Sequence, residues 1–198
     1  MTALPYREVD VFCTDGFDGN PLAVVHGAQS LNTAQMQTIA NWTNFSETTF
    51  LLEPTVEEAD YLVRIFTPAE ELPFAGHPTI GSAHAWLEAG GVPGKAGEIV
   101  QQCGIGLVTL RVDEDRLSFE APPLLRGGKA EQDVRQRTLA ILQLEESEII
   151  DVVWIDNGPR WVGVHLKEHS RIATIDAVAV DDQDVDVAAF CVGSKLDG

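Results

Sequence analysis

Hydrophobic and polar positions change period repeatedly along this chain, and the changes mark out short strands and a few helices. Residues 6–13, YREVDVFC, set Tyr, Glu and Asp against apolar Val and Phe in the alternation of a half-buried strand. The loop TDGFDGNP follows, dense in Gly, Asp and Asn, and residues 22–25 form a short apolar strand. Asn32 is placed to cap a helix, NTAQMQTIANW, whose Met36, Ile39 and Ala40 share one face. Residues 45–52 and 59–67 are β-branched and aromatic enough for two more strands, and residues 68–75 read as a loop.

The stretch 71–86, ELPFAGHPTIGSAHAW, organises the rest. Pro78 suits a first helical position, where its missing N–H costs nothing. From Thr79 to Leu87 the residues are small or apolar almost all round, which predicts a buried helix with other backbone packed close against it, ending near Gly90 and Gly91. Its first turn presents free N–H groups and the positive end of the helix dipole to any anion. An active-site floor and an ordinary core helix both fit this stretch.

Strands are predicted at 98–103, 107–112 and 116–120, the last two joined through the turn Asp113-Glu-Asp. Residues 121–129, APPLLRGGK, hold two prolines and two glycines and read as the boundary between a domain at 1–122 and another at 123–198. A helix at 131–142 then precedes strands at 149–155 and 160–166, joined by Asp156-Asn-Gly-Pro. The tail carries Asp176, Asp181, Asp182, Asp184 and Asp186, then an apolar segment at 187–192. This order predicts an α+β fold of antiparallel hairpins around one or two helices. The second domain restarts the style of the first and reads as incomplete. No GxGxxG or GxxxxGK[ST] motif is present, which disfavours a nucleotide-binding fold.

Composition narrows the partners. At 198 residues, 44% hydrophobic and 22% charged, the chain can bury a sizeable core. Its formal charge of −18, from 31 acidic and 13 basic residues, opposes nucleic acid and anionic membranes. Cys13, Cys103 and Cys191 are odd in number and far apart, which suits free thiols in a reducing cytosol and gives no sign of a zinc site. The N-terminal residues lack the pattern of a secretory signal, so a cytoplasmic location is expected and the matches at Asn41-Trp-Thr and Asn44-Phe-Ser are read as coincidence.

Two residues invite a chemical reading. Glu47 lies in NFSETTF, and on strict alternation Phe45, Glu47 and Thr49 share one face while Ser46, Thr48 and Phe50 share the other. Both faces mix polar with apolar residues, which fits a strand lining a partly enclosed pocket. A carboxylate against aromatic surface is pushed toward the protonation range that general acid–base catalysis needs. A solvent-facing glutamate on an edge strand fits equally. His77 is open between hydrogen-bonding a substrate at the helix mouth and capping the helix. His77 and His84 lie about 10 Å apart along a helix, too far to share a metal ion, and His165 and His169 stand apart from any Cys or His cluster.

These pieces together resemble the PhzF family, named for phenazine biosynthesis, within the diaminopimelate epimerase-like superfamily. The matching residues are Val9-Asp-Val-Phe, Gly19-Asn-Pro-Leu-Ala-Val-Val, Met36-Gln with Ile39-Ala, Asn44-Phe-Ser-Glu-Thr-Thr-Phe, Arg64-Ile-Phe-Thr-Pro, and Glu71-Leu-Pro-Phe-Ala-Gly-His-Pro-Thr with Gly81-Ser. Asp156-Asn-Gly-Pro-Arg-Trp-Val is a further patch.

The resemblance implies two pseudo-symmetric lobes, each a curved, barrel-like antiparallel sheet wrapped around a central helix. It implies a cofactor-independent isomerase or epimerase that moves a proton on a small carboxylate-bearing metabolite, without a metal. Glu47 is then the acid–base group. Asn20, Ser46, Gly76, His77, Pro78 and Thr79 form the substrate-binding set, with the helix N-terminus holding a carboxylate. The epimerase branch uses two cysteines; the loop Phe74-Ala-Gly-His-Pro has none, so a two-thiol mechanism is not expected. Family members are longer and carry a Glu-Asp-Pro-x-Thr-Gly-Ser motif in the second lobe. Its only echo here is Gly193-Ser194, out of context. That gap keeps a non-catalytic binding or assembly role in view as the alternative, and it predicts a homodimer or larger homo-oligomer through exposed edges and apolar surface. A thioesterase-like hot-dog fold is a third arrangement of sheet around helix, with nothing here to mark a thioester site.

Overall fold

The computed structural model describes residues 3–113, 116–158, 160–175 and 186–191. They fall into two compact units, Met1–Pro122 and Pro123–Gly198.

The first unit is built of β1 (Tyr6–Val11), β2 (Asn20–Val25), α1 (Thr33–Thr43), β3 (Glu47–Leu52), β4 (Tyr61–Phe66), β5 (Glu71–Leu72), α2 (Gly76–Glu88), β6 (Glu98–Cys103), β7 (Gly106–Asp113) and β8 (Arg116–Phe119). One sheet runs β1-β2-β3-β4-β6-β7-β8, with β5 on the flank of β4. The helix α2 touches β1, β2, β3, β6 and β8, so the sheet curls until both its ends meet one helix. Leu22, Val24, Ile65, Phe74, Ala83, Ala85, Ile99 and Leu110 fill the core between them.

A helix this apolar is buried as its composition requires: Pro78, Thr79, Gly81, Ser82, Ala83 and Ala85 have almost no exposed surface. Gly81 sets the closeness of the contact. A Cβ there would stand 2.6 Å from Leu22 Cδ2 and 2.7 Å from Val11 Cγ2, so the helix rests on β1 and β2 at glycine distance. On the outer face of the sheet, Met36 and Ala40 of α1 pack on Val25, Phe50 and Phe66. The helix α1 begins with the capping box expected of Asn32: its side chain accepts from the Gln35 N–H, and the Gln35 side chain accepts from the Asn32 N–H.

Several expectations are corrected. The sheet is mixed, not wholly antiparallel, because β2 pairs parallel with β3 and β4 parallel with β6. Each pair is joined by a crossover containing a helix, which parallel strands require. The loop at 68–75 contains β5, two residues that pair with Ile65 and Phe66. Glu47 is not on an edge, since β3 lies between β2 and β4. The helix begins at Gly76, which places Pro78 third in it. Proline is tolerated there because the whole first turn lacks intrahelical acceptors. The tip of the turn Asp113-Glu-Asp lies outside the described residues, while β7 and β8 do pair antiparallel.

The second unit contains β9 (Arg126–Lys129), α3 (Gln132–Ile141), β10 (Ile149–Asp156), β11 (Trp161–Leu166) and β12 (Asp186–Phe190), in the sheet order β12-β11-β10-β9. Val134 and Leu139 of α3 pack on Val152, Trp154, Val162, Val164 and Leu166. The second half of the boundary segment at 121–129 is thus a strand. Pairing uses backbone alone, so the edge of a sheet accepts Gly127 and Gly128 where propensity argues against them. β12 pairs parallel with β11. Pro159, Asp176, Asp181, Asp182, Asp184, Gly193 and Ser194 lie outside the described residues. Among the described residues no helix is long and apolar enough to cross a membrane.

Candidate active site

Two alternations and one helix start bring the predicted residues of the first unit together. In β3, Thr49 and Leu51 face α2, and Thr48 and Phe50 face α1. Glu47 shares parity with Thr49 and so points to the N-terminus of α2. There its Oε2 lies 3.2 Å from His77 Nδ1, and the two side chains are only 15% and 9% exposed. Glu47 also sits opposite Leu22 in the parallel register, which brings the start of β2 alongside. The Asn20 Nδ2 is 3.3 Å from His77 Nδ1, and Ser46 Oγ donates to Asn20 Oδ1 at 3.0 Å. Ser46, Asn20, His77 and Glu47 therefore form one continuous polar cluster, from three elements far apart in the chain.

The electrostatics follow from enclosure. Burial pushes the His77 imidazole down to about 4, and the Pro21 carbonyl facing the ring offsets part of this. The ring is neutral at pH 7 and offers one donor and one acceptor. Nδ1 faces both an amide donor and a carboxylate oxygen, so which nitrogen carries the hydrogen is coupled to the protonation of Glu47. His77 Nε2 is buried and has no hydrogen-bond partner among the described residues.

Beside this cluster lies the first turn of α2. Gly76 and His77 supply N–H groups without an intrahelical acceptor. Pro78 has no N–H, and the Thr79 N–H bonds to the Ala75 carbonyl at 3.2 Å, so the anion-facing set is narrower than the four residues expected. Thr79 is turned inward, fully buried, with its hydroxyl donating to the Ala75 carbonyl at 2.9 Å. A small anion at this mouth would meet two backbone N–H groups, a neutral imidazole and a carboxyl group. That combination can hold a carboxylate and exchange a proton with the carbon next to it. His84 lies on the exposed part of the helix, 3.5 Å from Glu88, with no connection to the cluster.

Sequence reading missed the polar side chains behind the mouth: Thr49, Tyr61, Ser82 and Gln101. One of them left a signal. In EIVQQC, Ile99, Gln101 and Cys103 occupy the buried face of a clean alternation, and a glutamine in an apolar row marks a core position with a specific partner. Two open grooves lie elsewhere. One of about 440 Å³ runs past the Arg64–Glu71 ion pair, and one of about 320 Å³ lies among Arg126, Arg137 and Trp154 in the second unit.

Comparison with known proteins puts this geometry in context. Residues 9–195 match the family model described as phenazine biosynthesis-like protein. The chain is 42% identical over 182 residues to the Schizosaccharomyces pombe protein named antisense-enhancing sequence 1, covering 88% of this chain and 62% of that protein. It is 51% identical over 80 residues to trans-2,3-dihydro-3-hydroxyanthranilate isomerase from Pseudomonas fluorescens, covering 40% of this chain and 28% of that protein. In structure it is similar to a phenazine biosynthesis protein of the PhzF family from Enterococcus faecalis, with a TM-score of 0.68 and 25% identity over 89% of this chain and 62% of that one. The chain thus spans about three fifths of the length of curated relatives that it matches along most of its own length.

Proposed function

The chain belongs to the phenazine biosynthesis-like protein family, and from that premise we propose that it supplies the acid–base half of a cofactor-independent isomerase site acting on a small carboxylate-bearing metabolite. The observation that carries the reading is the 3.2 Å approach of Glu47 to His77 at the first turn of α2. In this scheme the substrate carboxylate lies against the N–H groups of Gly76 and His77, where the helix end stabilises negative charge that builds up as a neighbouring C–H bond breaks. Glu47 takes that proton, the electron pair spreads into the conjugated system, and Glu47 returns the proton to another carbon of the same molecule. Asn20 and Ser46 hold the His77 ring, which orients the substrate without adding a charge of its own.

The name of the Pseudomonas fluorescens relative points to cyclic dienyl amino acids as the substrate class to try first. The three free cysteines are in keeping with a cytoplasmic setting, which forms part of the proposal. The test is solvent deuterium incorporation into 2-amino and dienyl carboxylic acids in D₂O, followed by mass spectrometry or NMR. Incorporation by the wild type and a loss of at least ~100-fold in Glu47→Gln is the expected result, the usual scale for a positioned acid–base group. Incorporation that survives this substitution unchanged would remove Glu47 from the chemistry, and none with any of these acids in the wild type would favour a binding role.

A further inference from the structure

We infer that Gln101 is a positioning residue that fixes the mouth of α2, acting through Thr79 to hold Gly76 and His77 opposite Glu47. The inference takes its catalytic meaning from the isomerase reading above, but the geometry behind it is separate. Gln101, on β6, is fully buried and sits across from Tyr61 of β4 in the parallel register. Its Oε1 accepts from the Tyr61 hydroxyl at 3.0 Å, and its Nε2 donates to Thr79 Oγ1 at 3.1 Å. Thr79 Oγ1 in turn donates to the Ala75 carbonyl at 2.9 Å. Tyr61 and Thr79 are at most 2% exposed, so no water competes for these bonds.

The hydrogens along this relay run one way, from Tyr61 through Gln101 and Thr79 to Ala75. An amide suits position 101, because it accepts from Tyr61 at one end and donates to Thr79 at the other without changing its charge. A carboxylate would have no hydrogen for Thr79, and an apolar side chain would leave two buried hydroxyls short of a partner.

The relay ends on Ala75 and Thr79, the residues that bracket Gly76, His77 and Pro78. Most of the remaining helix contact is made by apolar side chains, Ile80, Ala83, Ala85, Trp86 and Leu87 among them, and apolar contact is non-directional. It holds α2 against the sheet without specifying where along its axis the first turn lies. A directional chain does specify that. A second tie acts on the Glu47 side, where Ser82 Oγ donates to Thr49 Oγ1 at 2.9 Å, two residues along β3 from Glu47. The helix is thereby pinned to β6 by Gln101 and to β3 by Ser82, and the Glu47–His77 distance is set between the two ties.

The experiment is a ¹⁵N-NMR pH titration of the His77 ring in the wild type, Gln101→Met, Tyr61→Phe and Thr79→Ser, with near-UV circular dichroism to confirm folding. His77 reports directly on the enclosure of the mouth and needs no substrate. In Gln101→Met the His77 titration midpoint is expected to move up by about one pH unit or more, toward the ordinary histidine value, as the first turn gains freedom and water. Tyr61→Phe, which deletes only the hydroxyl at the far end of the relay, is expected to move it the same way by less. Thr79→Ser keeps the hydroxyl and is expected to titrate as the wild type. If Gln101→Met does not fold, Tyr61→Phe carries the test. A folded Gln101→Met whose His77 titrates as in the wild type overturns the inference, as does the same outcome in Tyr61→Phe when that variant stands in. Deuterium incorporation by Glu47→Gln remains the separate check on the proposed function, and its failure would leave the titration result for Gln101 intact.

Discussion

Acid is expected to destabilise the first unit through His77, and the size of the effect follows from the enclosure of its ring. The folded state holds the imidazole at about 4, against an ordinary value of 6.5, because burial disfavours the charged form. Folding is therefore unpenalised by this group above pH 6.5. The penalty grows as pH falls from 6.5 and is complete below about 4, where the unfolded ring carries a proton that the folded ring resists. At about 1.4 kcal/mol per pH unit, that gap is worth about 3 kcal/mol for a fully enclosed ring. Residual solvent contact and the nearby Glu47 carboxyl reduce the expected figure to about 2 kcal/mol. Other groups titrate over the same range, so the assay is a difference: urea denaturation of the wild type and of His77→Asn from pH 7 to pH 4. The wild type should lose about 2 kcal/mol more than the variant on acidification, close to 1 M in urea midpoint at a typical slope. A gap between the two proteins that does not change with pH would refute the burial argument. A gap that changes in the opposite sense would show that the Glu47 carboxylate, 3.2 Å away, holds a protonated ring and outweighs burial.

Two further substitutions probe how the scaffold carries the site. Asn32→Ala removes the side-chain acceptor of the Gln35 N–H at the start of α1, leaving only the bond from its own backbone N–H to Gln35, and should cost about 1 kcal/mol in chemical denaturation; an unchanged midpoint would mean the side-chain cap contributes nothing. Gly81→Val drives a branched side chain into Leu22 and Val11 at the closest approach of α2 to the sheet, and about 1–3 kcal/mol of destabilisation is expected, read as a lower melting temperature. Equal melting temperatures for wild type and variant would mean that the contact can open without loss.

Much of the scaffold is legible in the amino-acid order, because the legible elements follow local rules. The alternation in ETTFLL assigns Thr49 to one face of a strand and Phe50 to the other, and those faces meet α2 and α1. Asn32 ahead of an amphipathic run marks a capped helix, and the helix forms there with that cap. The elements that escape such rules are held by partners rather than by their own residues. Glu71 and Leu72 are a strand only because β4 offers them an edge, and RGGK is a strand only because β10 does. Parallel pairing of β2 with β3 and of β4 with β6 follows from how helices cross over the sheet, which period-two patterns do not encode.

The candidate site divides along the same line. Residue type and local period alone mark which groups have chemical potential: a carboxylate on a strand with two unlike faces and a histidine at the mouth of an apolar helix. Folding is what puts Glu47 and His77, thirty positions apart, 3.2 Å from each other with Asn20 at the same ring nitrogen. Folding also turns the Thr79 hydroxyl inward, leaves the Gly76 and His77 N–H groups to the mouth, and sets Gln101 behind them. The reason is physical. Distance between side chains on different elements is set by how a helix seats in a curled sheet, and that seating rests on a glycine contact and two buried hydrogen-bond ties contributed by distant parts of the chain.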